Sequence, residues 1–453
     1  MRFPARFLAR VLVGLSLLLT ACWPVRSAPG NGMAWLPVVD IAGGGGHKGP
    51  WQQNESAYDY VDDGTVAFTP GGLLAVAWVD QRAKDVRFRL LGPDGSPQGP
   101  VRDVSRSPAT FSWHPRLATS GPDRLYVLWQ EIIFSGGSHG GDILFARSLD
   151  GGKRFSRPLN LSASIGGDGK GRLDRDTWSN GSLDLVTSPN GDIYAAWTEY
   201  DGALWLVRSR DDGQSFSRPR QVAGDTQRPA RGPALAVDRQ GRLYLAWAVG
   251  EESDADIHVA VSGDGGASFG DPVRIGSPGA RADAPRLALD GAGRLHLVFA
   301  DYPQSRGAPA IRHVRADSGT LRFGPPRTLS EAGQPGSYPH LATDGQGKVH
   351  VAWEAVDAGD RPHGLVHAPV PENGEIRPAP VPHSADPAGG RNGSQQGLLG
   401  KKLAAGPDGL IVLVNSSLAP GKGSRVWLMP GTARVAREAG QAVSGGEGTR
   451  QAR

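Results

Sequence analysis

One pattern recurs seven times along this chain at a fixed internal spacing, and it restricts the fold more than any other feature. The clear copies run Pro115…Trp129, Pro233…Trp247, Pro285…Phe299 and Pro339…Trp353; weaker ones run Gly64…Trp78, Leu183…Trp197 and Lys401…Asn415. Within a copy the apolar residues alternate, as in Leu235 and Val237 and then Leu243, Leu245 and Trp247, which is the period of a strand with one face in and one face out. Between the two runs lies Asp238…Gly241, a turn signal. A third run, Ile257–Val261, and a fourth, Pro272–Ile275, complete the unit. Four short antiparallel strands about every 50 residues are the signature of a propeller blade. The expected fold is therefore all-β, a β-propeller of four-stranded blades. Seven units predict seven blades, with six as the alternative if one terminal unit is an accessory.

Composition agrees once its aromatics are counted. Sixty-five Gly and 36 Pro in 453 residues approach the content of disordered chains, but 12 Trp, 12 Phe and 8 Tyr are spread along nearly the whole length. Such a chain has the apolar surface to fold, and its Gly and Pro belong to turns.

A sharper motif sits between the third and fourth strands. Ser148-Leu149-Asp150-Gly151-Gly152-Lys153-Arg154-Phe155 is one copy, and the segments Ser209–Phe216 and Ser262–Phe269 repeat its form, S-x-D-x-G-x-x-F. The Asp accepts hydrogen bonds from turn amides, Gly supplies positive φ, and the aromatic packs back into the blade. The three copies, in register with the larger repeat, resemble the Asp boxes, or bacterial neuraminidase repeats, of the sialidase superfamily of propellers. The resemblance covers about residues 58–430. It implies that Asp150, Asp211 and Asp264 are structural residues on the outer lower rim, away from the channel. Members that are true sialidases have six blades.

The resemblance also points to the face where the chain enters each first strand and leaves each second one. Candidate ligand-binding residues there are Trp113, His114, Trp178, Arg231 and Arg306, alongside Asp283, Glu131, Asp301 and Tyr302. Aromatics stack on pyranose faces and carboxylates accept hydroxyl protons. The superfamily's enzymes use a Tyr nucleophile activated by a Glu, an Asp as acid/base and three Arg that grip a carboxylate. Tyr338-Pro339-His340-Leu341 and Trp353-Glu354 echo the Tyr and Glu segments, and Asp85 falls near the acid/base position. Tyr338, Glu354 and Asp85 are thus the catalytic candidates. The family's F/Y-R-I-P signature is missing from the first unit, which has Val61-Asp62-Asp63-Gly64; its nearest copy, Ala230-Arg231-Gly232-Pro233, lies in the fourth. Two functions stay open: recognition of a glycan or an envelope partner at the channel mouth, and retaining exo-glycosidase chemistry on sialic acid or a related sugar.

The N-terminus argues for export. Met1-Arg2 opens a basic region, Val11–Leu19 is an apolar run too short to span a bilayer, and Leu19-Thr20-Ala21-Cys22 resembles a lipobox whose Cys is acylated. Residues 1–21 read as a lipoprotein signal peptide and 22–57 as lipidated N-terminus, linker and a ring-closing strand around Trp35–Ile41. The propeller would occupy 58–435 and a polar tail 436–453. Cys22 is the sole Cys, so no intrachain disulfide is possible. The expected location is the bacterial cell envelope, at the outer membrane or cell surface. Arg2, Arg6 and Arg10 leave with the signal, so 49 basic side chains become 46 against 45 acidic, which argues against a nucleic-acid partner. His363 and His367 are four apart on a strand-like segment without Cys partners, so neither a metal nor another cofactor is expected. The oligomeric state is not set by the sequence.

Overall fold

The computed structural model describes residues 31–433 apart from 53, 108, 132–140, 163–170, 173–177, 180–181, 200, 251–254, 305–307, 318, 358–361, 383–390 and 393–399; at 171–172, 178–179 and 391–392 only the backbone is described. Seven sheets form a closed ring, so the six-bladed alternative is overturned. Blades 1 to 7 begin with the inner strands Val61–Phe68, Ser112–Ser120, Leu183–Thr187, Ala230–Val237, Ala280–Leu289, Gly336–Thr343 and Leu403–Ala405. Each inner strand pairs antiparallel with the next strand outward, and the chain steps to the rim before entering the next blade. No helix occurs among the described residues.

The repeated Trp explains the packing. Trp129 lies among Ala77, Val79 and Phe88 of the preceding blade, Trp197 among Tyr126, Leu128 and Phe145, and Trp353 against Val298 and Ala300. Burying about 200 Å² of such a ring contributes on the order of 5 kcal/mol before the entropy of ordering is charged against it. Six interfaces carry this wedge, with Phe299 in one of them. The seventh position is Asn415, treated below.

Ring closure uses the N-terminal segment. Val39–Gly44 supplies the outer strand of blade 7 by pairing with Gly423–Ala433, Val39 opposite Leu428, and Met33–Trp35 pairs with the end of the same strand. The first and last described segments are thereby hydrogen-bonded in one sheet, which pairs the edge of blade 7's third strand.

The connections define two faces. The mouth face carries the entries to the inner strands and the links from second to third strands. The opposite face carries the two tight turns of each blade. On it the three S-x-D-x-G-x-x-F segments form identical turns. In the first, Ser148 Oγ donates to Asp150 Oδ1 at 2.9 Å, while the amides of Gly152 and Arg154 donate to Ser148 Oγ and Asp150 Oδ1. The same bonds recur around Asp211 and Asp264. The Ser215 hydroxyl and amide, with Ser209, hold the Asp211 carboxyl down at about 2.

Candidate functional site at the channel mouth

Where the inner strands enter the ring, the backbone makes the same unusual turn five times. Asp63, His114, Gly232, Ala284 and Tyr338 have φ of 54°, 51°, 56°, 53° and 53°. In the last four, the following residue is Pro, which has no N–H for the ladder. The pairing slips there: between Asp62 and Thr65, Arg231 and Ala234, Asp283 and Arg286, Ser337 and His340. A non-glycine residue in this region costs about 1–2 kcal/mol, and a bulge re-aims the side chain. Asp63, His114 and Tyr338 hold equivalent places around the mouth for this reason.

Asp63 and His114 meet: Asp63 Oδ2 lies 3.4 Å from His114 Nδ1 and accepts from the His114 amide at 3.2 Å. Asp62 accepts from Ser416 Oγ at 2.5 Å. Arg231 is buried and engaged with the Gly250 carbonyl and, at 3.4 Å, with Asp283. Tyr338 is half-buried. Beside it Ser337 Oγ accepts from the Tyr302 hydroxyl at 3.1 Å, and Arg281 lies over the Tyr302 ring at 4.6 Å.

The other two catalytic candidates are deeper. Glu354 faces Ser337 across the strand pair in blade 6, but Lys402 of blade 7 donates to its Oε1 and, at 2.9 Å, to Asn415 Oδ1. Burial pushes the Glu354 carboxyl up and Lys402 opposes it. Asn415 thus stands where the other blades place Trp or Phe and bonds the buried Lys–Glu pair, while Trp427, opposite it on the next strand, is the ring packed between blades 6 and 7. Asp85 opens the third strand of blade 1, bonded to Ser105 Oγ at 3.3 Å and to Arg87 at 3.0 Å. Burial raises its carboxyl, with Asp103 adding to the effect and Arg87 opposing it. Nearby Glu131 is also raised by burial, against hydrogen bonds from Ser107, Thr110 and Trp129 and with Asp85 adding a like charge. Tyr338 and Glu354 thus share blade 6, while Asp85 lies on blade 1, with blade 7 between them.

Trp113 is buried, as one wall of an aromatic cluster with Tyr58, Tyr60 and Phe111. The ring presented to solvent is Trp51, 38% exposed, whose centroid lies 5.9 Å from Phe111 and 6.2 Å from both Tyr58 and Trp113. By sequence Trp51 falls within residues 22–57, the linker segment. Its only signal was an aromatic just ahead of Tyr58 and Tyr60. Arg306 and Cys22 lie outside the described residues. Trp178 is described by its backbone, in a two-stranded ribbon with Arg172 opposite.

Beneath the mouth the channel is bridged. Lys401 of blade 7 reaches across to blade 3, where Nζ lies 2.8 Å from Asp184 Oδ1 and donates to the Leu185 carbonyl at 2.7 Å. Arg116, Arg286 and His340 surround this pair, all buried. Burial and the neighbouring Arg286 bring the Arg116 guanidinium down to about 10, and burial strips His340 of its proton. Asp184, Lys401, Arg286 and His340 also form part of the wall of a cavity of about 320 Å³, which Leu235, Leu287, Leu341 and Leu403 complete. Among the described residues, no group of three or more His, Cys, Asp or Glu side chains is placed to hold a metal ion.

No family model matches the chain, and no curated protein matches it. Solved structures show some similarity to it. A protein of unknown function from Dyadobacter fermentans is 12% identical over 73% of this chain and 97% of its own, with a TM-score of 0.49. A GH93 α-L-arabinofuranosidase of Fusarium graminearum, solved with arabinobiose, is 15% identical over 72% and 94%, at 0.48. The intramolecular trans-sialidase of Ruminococcus gnavus is 11% identical over 66% and 90%, at 0.44. At these identities and TM-scores nothing is carried over to this chain, and its site is read from its own residues.

Proposed function

We propose that this protein is an exported, lipid-anchored propeller that recognises a glycan, or a glycan-bearing component of the cell envelope, at its channel mouth. The observation that carries the reading is Trp51: an exposed indole fixed on a buried bed of Tyr58, Phe111 and Trp113. An aromatic held in this way offers a rigid apolar face at little entropic cost, and the polar mouth residues Asp63, His114 and Tyr338 supply hydrogen-bonding partners. Export and acylation at Cys22 rest on the basic, apolar and Leu19–Cys22 segments of the N-terminus.

The test is binding of a soluble form beginning at Gly30 to a glycan panel, followed by titration of the best ligand. Trp51→Ala is expected to weaken that ligand about tenfold, the size of one lost stacking contact. Binding that is unchanged by Trp51→Ala, or no binding across the panel, refutes the reading.

A second reading is exo-glycosidase chemistry with Tyr338, Glu354 and Asp85, supported by the raised carboxyl of Asp85, the acid/base candidate, since a glycosidase acid must hold its proton near neutrality. Turnover of an aryl glycoside that Tyr338→Phe abolishes is its required result.

A further inference from the structure

Two neighbouring blades contain the same buried pair of histidines beside an Asp, and the protein supplies a partner to the far nitrogen of the second histidine in only one of them. In blade 6, Asp344 lies 3.5 Å from His350 Nε2, His350 Nδ1 meets His367 Nε2 at 3.2 Å, and the amide nitrogen of Asn31 reaches His367 Nδ1 at 3.3 Å. In blade 5, Asp290 lies 3.2 Å from His296 Nε2, and His296 Nδ1 meets His313 Nε2 at 2.9 Å. The registers are equivalent: His313 faces Val298, two residues after His296, and His367 faces Ala352, two residues after His350. Both imidazole pairs are stacked, with centroids 5.2 and 5.4 Å apart. Yet among the described residues His313 Nδ1 has no hydrogen-bond partner, although His313 is only 3% exposed.

The relay dictates what that atom wants. Asp290 is a carboxylate, held low by hydrogen bonds against the pull of burial, and so only accepts. His296 must then donate from Nε2, which leaves its Nδ1 as acceptor and makes His313 Nε2 a donor. Burial keeps both rings neutral, His313 at about 3. His313 Nδ1 is therefore a lone pair awaiting an N–H or O–H, the role Asn31 fills one blade away.

His313 lies on the wall of a cavity of about 390 Å³ between blades 5 and 6, on the face opposite the mouth. The other charged residues on that wall are Arg294, Arg315, Arg327, Lys348 and Glu372, four cations and one carboxylate. Arg327 is used on the carbonyls of Pro371 and Gly374. Arg294 is clamped by Asp290 at 2.6 Å, which reduces the surplus from three positive charges to two. Glu372, with a side chain 60% exposed, spans Arg294 and Arg315 at 2.5 and 3.7 Å and is the group an incoming anion would displace. The matching place between blades 6 and 7 holds Asn31 and Trp35, whose ring meets His367 edge-on at 5.4 Å.

We propose that the cavity between blades 5 and 6 binds a phosphate ester bearing a free hydroxyl, the oxyanion set against Arg294, Arg315 and Lys348 and the hydroxyl donated to His313 Nδ1. A glycerophosphate or sugar phosphate has this chemistry, whether soluble or as the headgroup of a lipid. Residues 33–35 pair with the end of blade 7's third strand, so the described chain begins on this same face.

The test is titration of the soluble propeller with glycerol 1-phosphate and with inorganic phosphate, and co-sedimentation with phosphatidylcholine vesicles with and without phosphatidylglycerol. Glycerol phosphate is expected to bind about tenfold more tightly than inorganic phosphate, as one buried hydrogen bond allows. His313→Phe should bring the two to parity, and Arg315→Gln, on the half-exposed rim, should weaken both severalfold. Co-sedimentation with phosphatidylglycerol that glycerol phosphate competes away assigns a lipid source; binding of the soluble ester alone assigns a soluble one. No binding of glycerol phosphate at millimolar concentration overturns the proposal. So does equal affinity for the two anions, or vesicle binding insensitive to both substitutions.

Discussion

Replacing Lys402 by Met removes the only cation bonded to Glu354 among the described residues and leaves that carboxyl sealed between blades 6 and 7. Met keeps most of the lysine stem's volume, so the change isolates the charge. Breaking a buried pair from one side costs about 3–5 kcal/mol, because the remaining ion has lost its water without compensation. Burial already raises the Glu354 carboxyl with Lys402 opposing, so removing Lys402 raises it further. An acid whose native pKa lies above its unfolded value binds its proton more readily in the native state. Its cost is therefore full at high pH and shrinks as pH falls through the native pKa, by about 1.4 kcal/mol per unit. Urea unfolding of wild type and Lys402→Met at pH 7 and at pH 5.5 measures this directly. The loss should be about 3–5 kcal/mol at pH 7 and about 2 kcal/mol smaller at pH 5.5, and adding Glu354→Gln should restore most of it. A loss below about 1 kcal/mol at pH 7, or one independent of pH, would show that the pair is not the isolated buried ion pair described above.

Two further outcomes follow from the same physics. His296, His313, His340, His350 and His367 are all buried with their pKa values lowered by burial, so the unfolded chain takes up protons near pH 6.5 that the native ring refuses. Stability should fall on acidification from pH 7 to pH 5, and His313→Phe should flatten the slope by about 1.4 kcal/mol per pH unit; a profile flat over that range refutes the argument. Trp35 is buried against Gly431 and His367, so Trp35→Ala should cost about 3–5 kcal/mol in urea unfolding and promote association through the loosened edge of blade 7, seen as oligomers on gel filtration. Unchanged unfolding would mean that this segment does not help to close the ring.

Blade number, strand order and the wedging Trp were legible because each unit repeats its own local grammar: alternation for strands, Asp and Gly for turns, Pro at the entry. Those signals act over a few residues and need no knowledge of neighbours. Chemistry at the interfaces did not have this property. Asn415 replaces the aromatic of the repeat in the last unit, yet it bonds Lys402, which in turn holds Glu354 of the preceding blade. Asp184 carries no motif and still receives Lys401 from the far side of the channel. Trp51 lies outside every repeat and became the exposed ring of the mouth only because Phe111 and Trp113, some sixty residues later, form its bed.

The histidines show the division most sharply. Their spacing in the chain, with His363 and His367 drawing attention as a pair, says nothing of the relays actually built, because each relay joins a second strand to a third and what lies at its end comes from elsewhere in the chain or is a cavity. His367 finds Asn31 from the other end of the chain; His313, in the same register one blade earlier, finds a cavity. Local sequence determines which strands and turns form, since backbone preference and side-chain alternation are short-range. Which buried polar atom is satisfied, and which is left to a ligand, depends on groups brought together only when the ring closes.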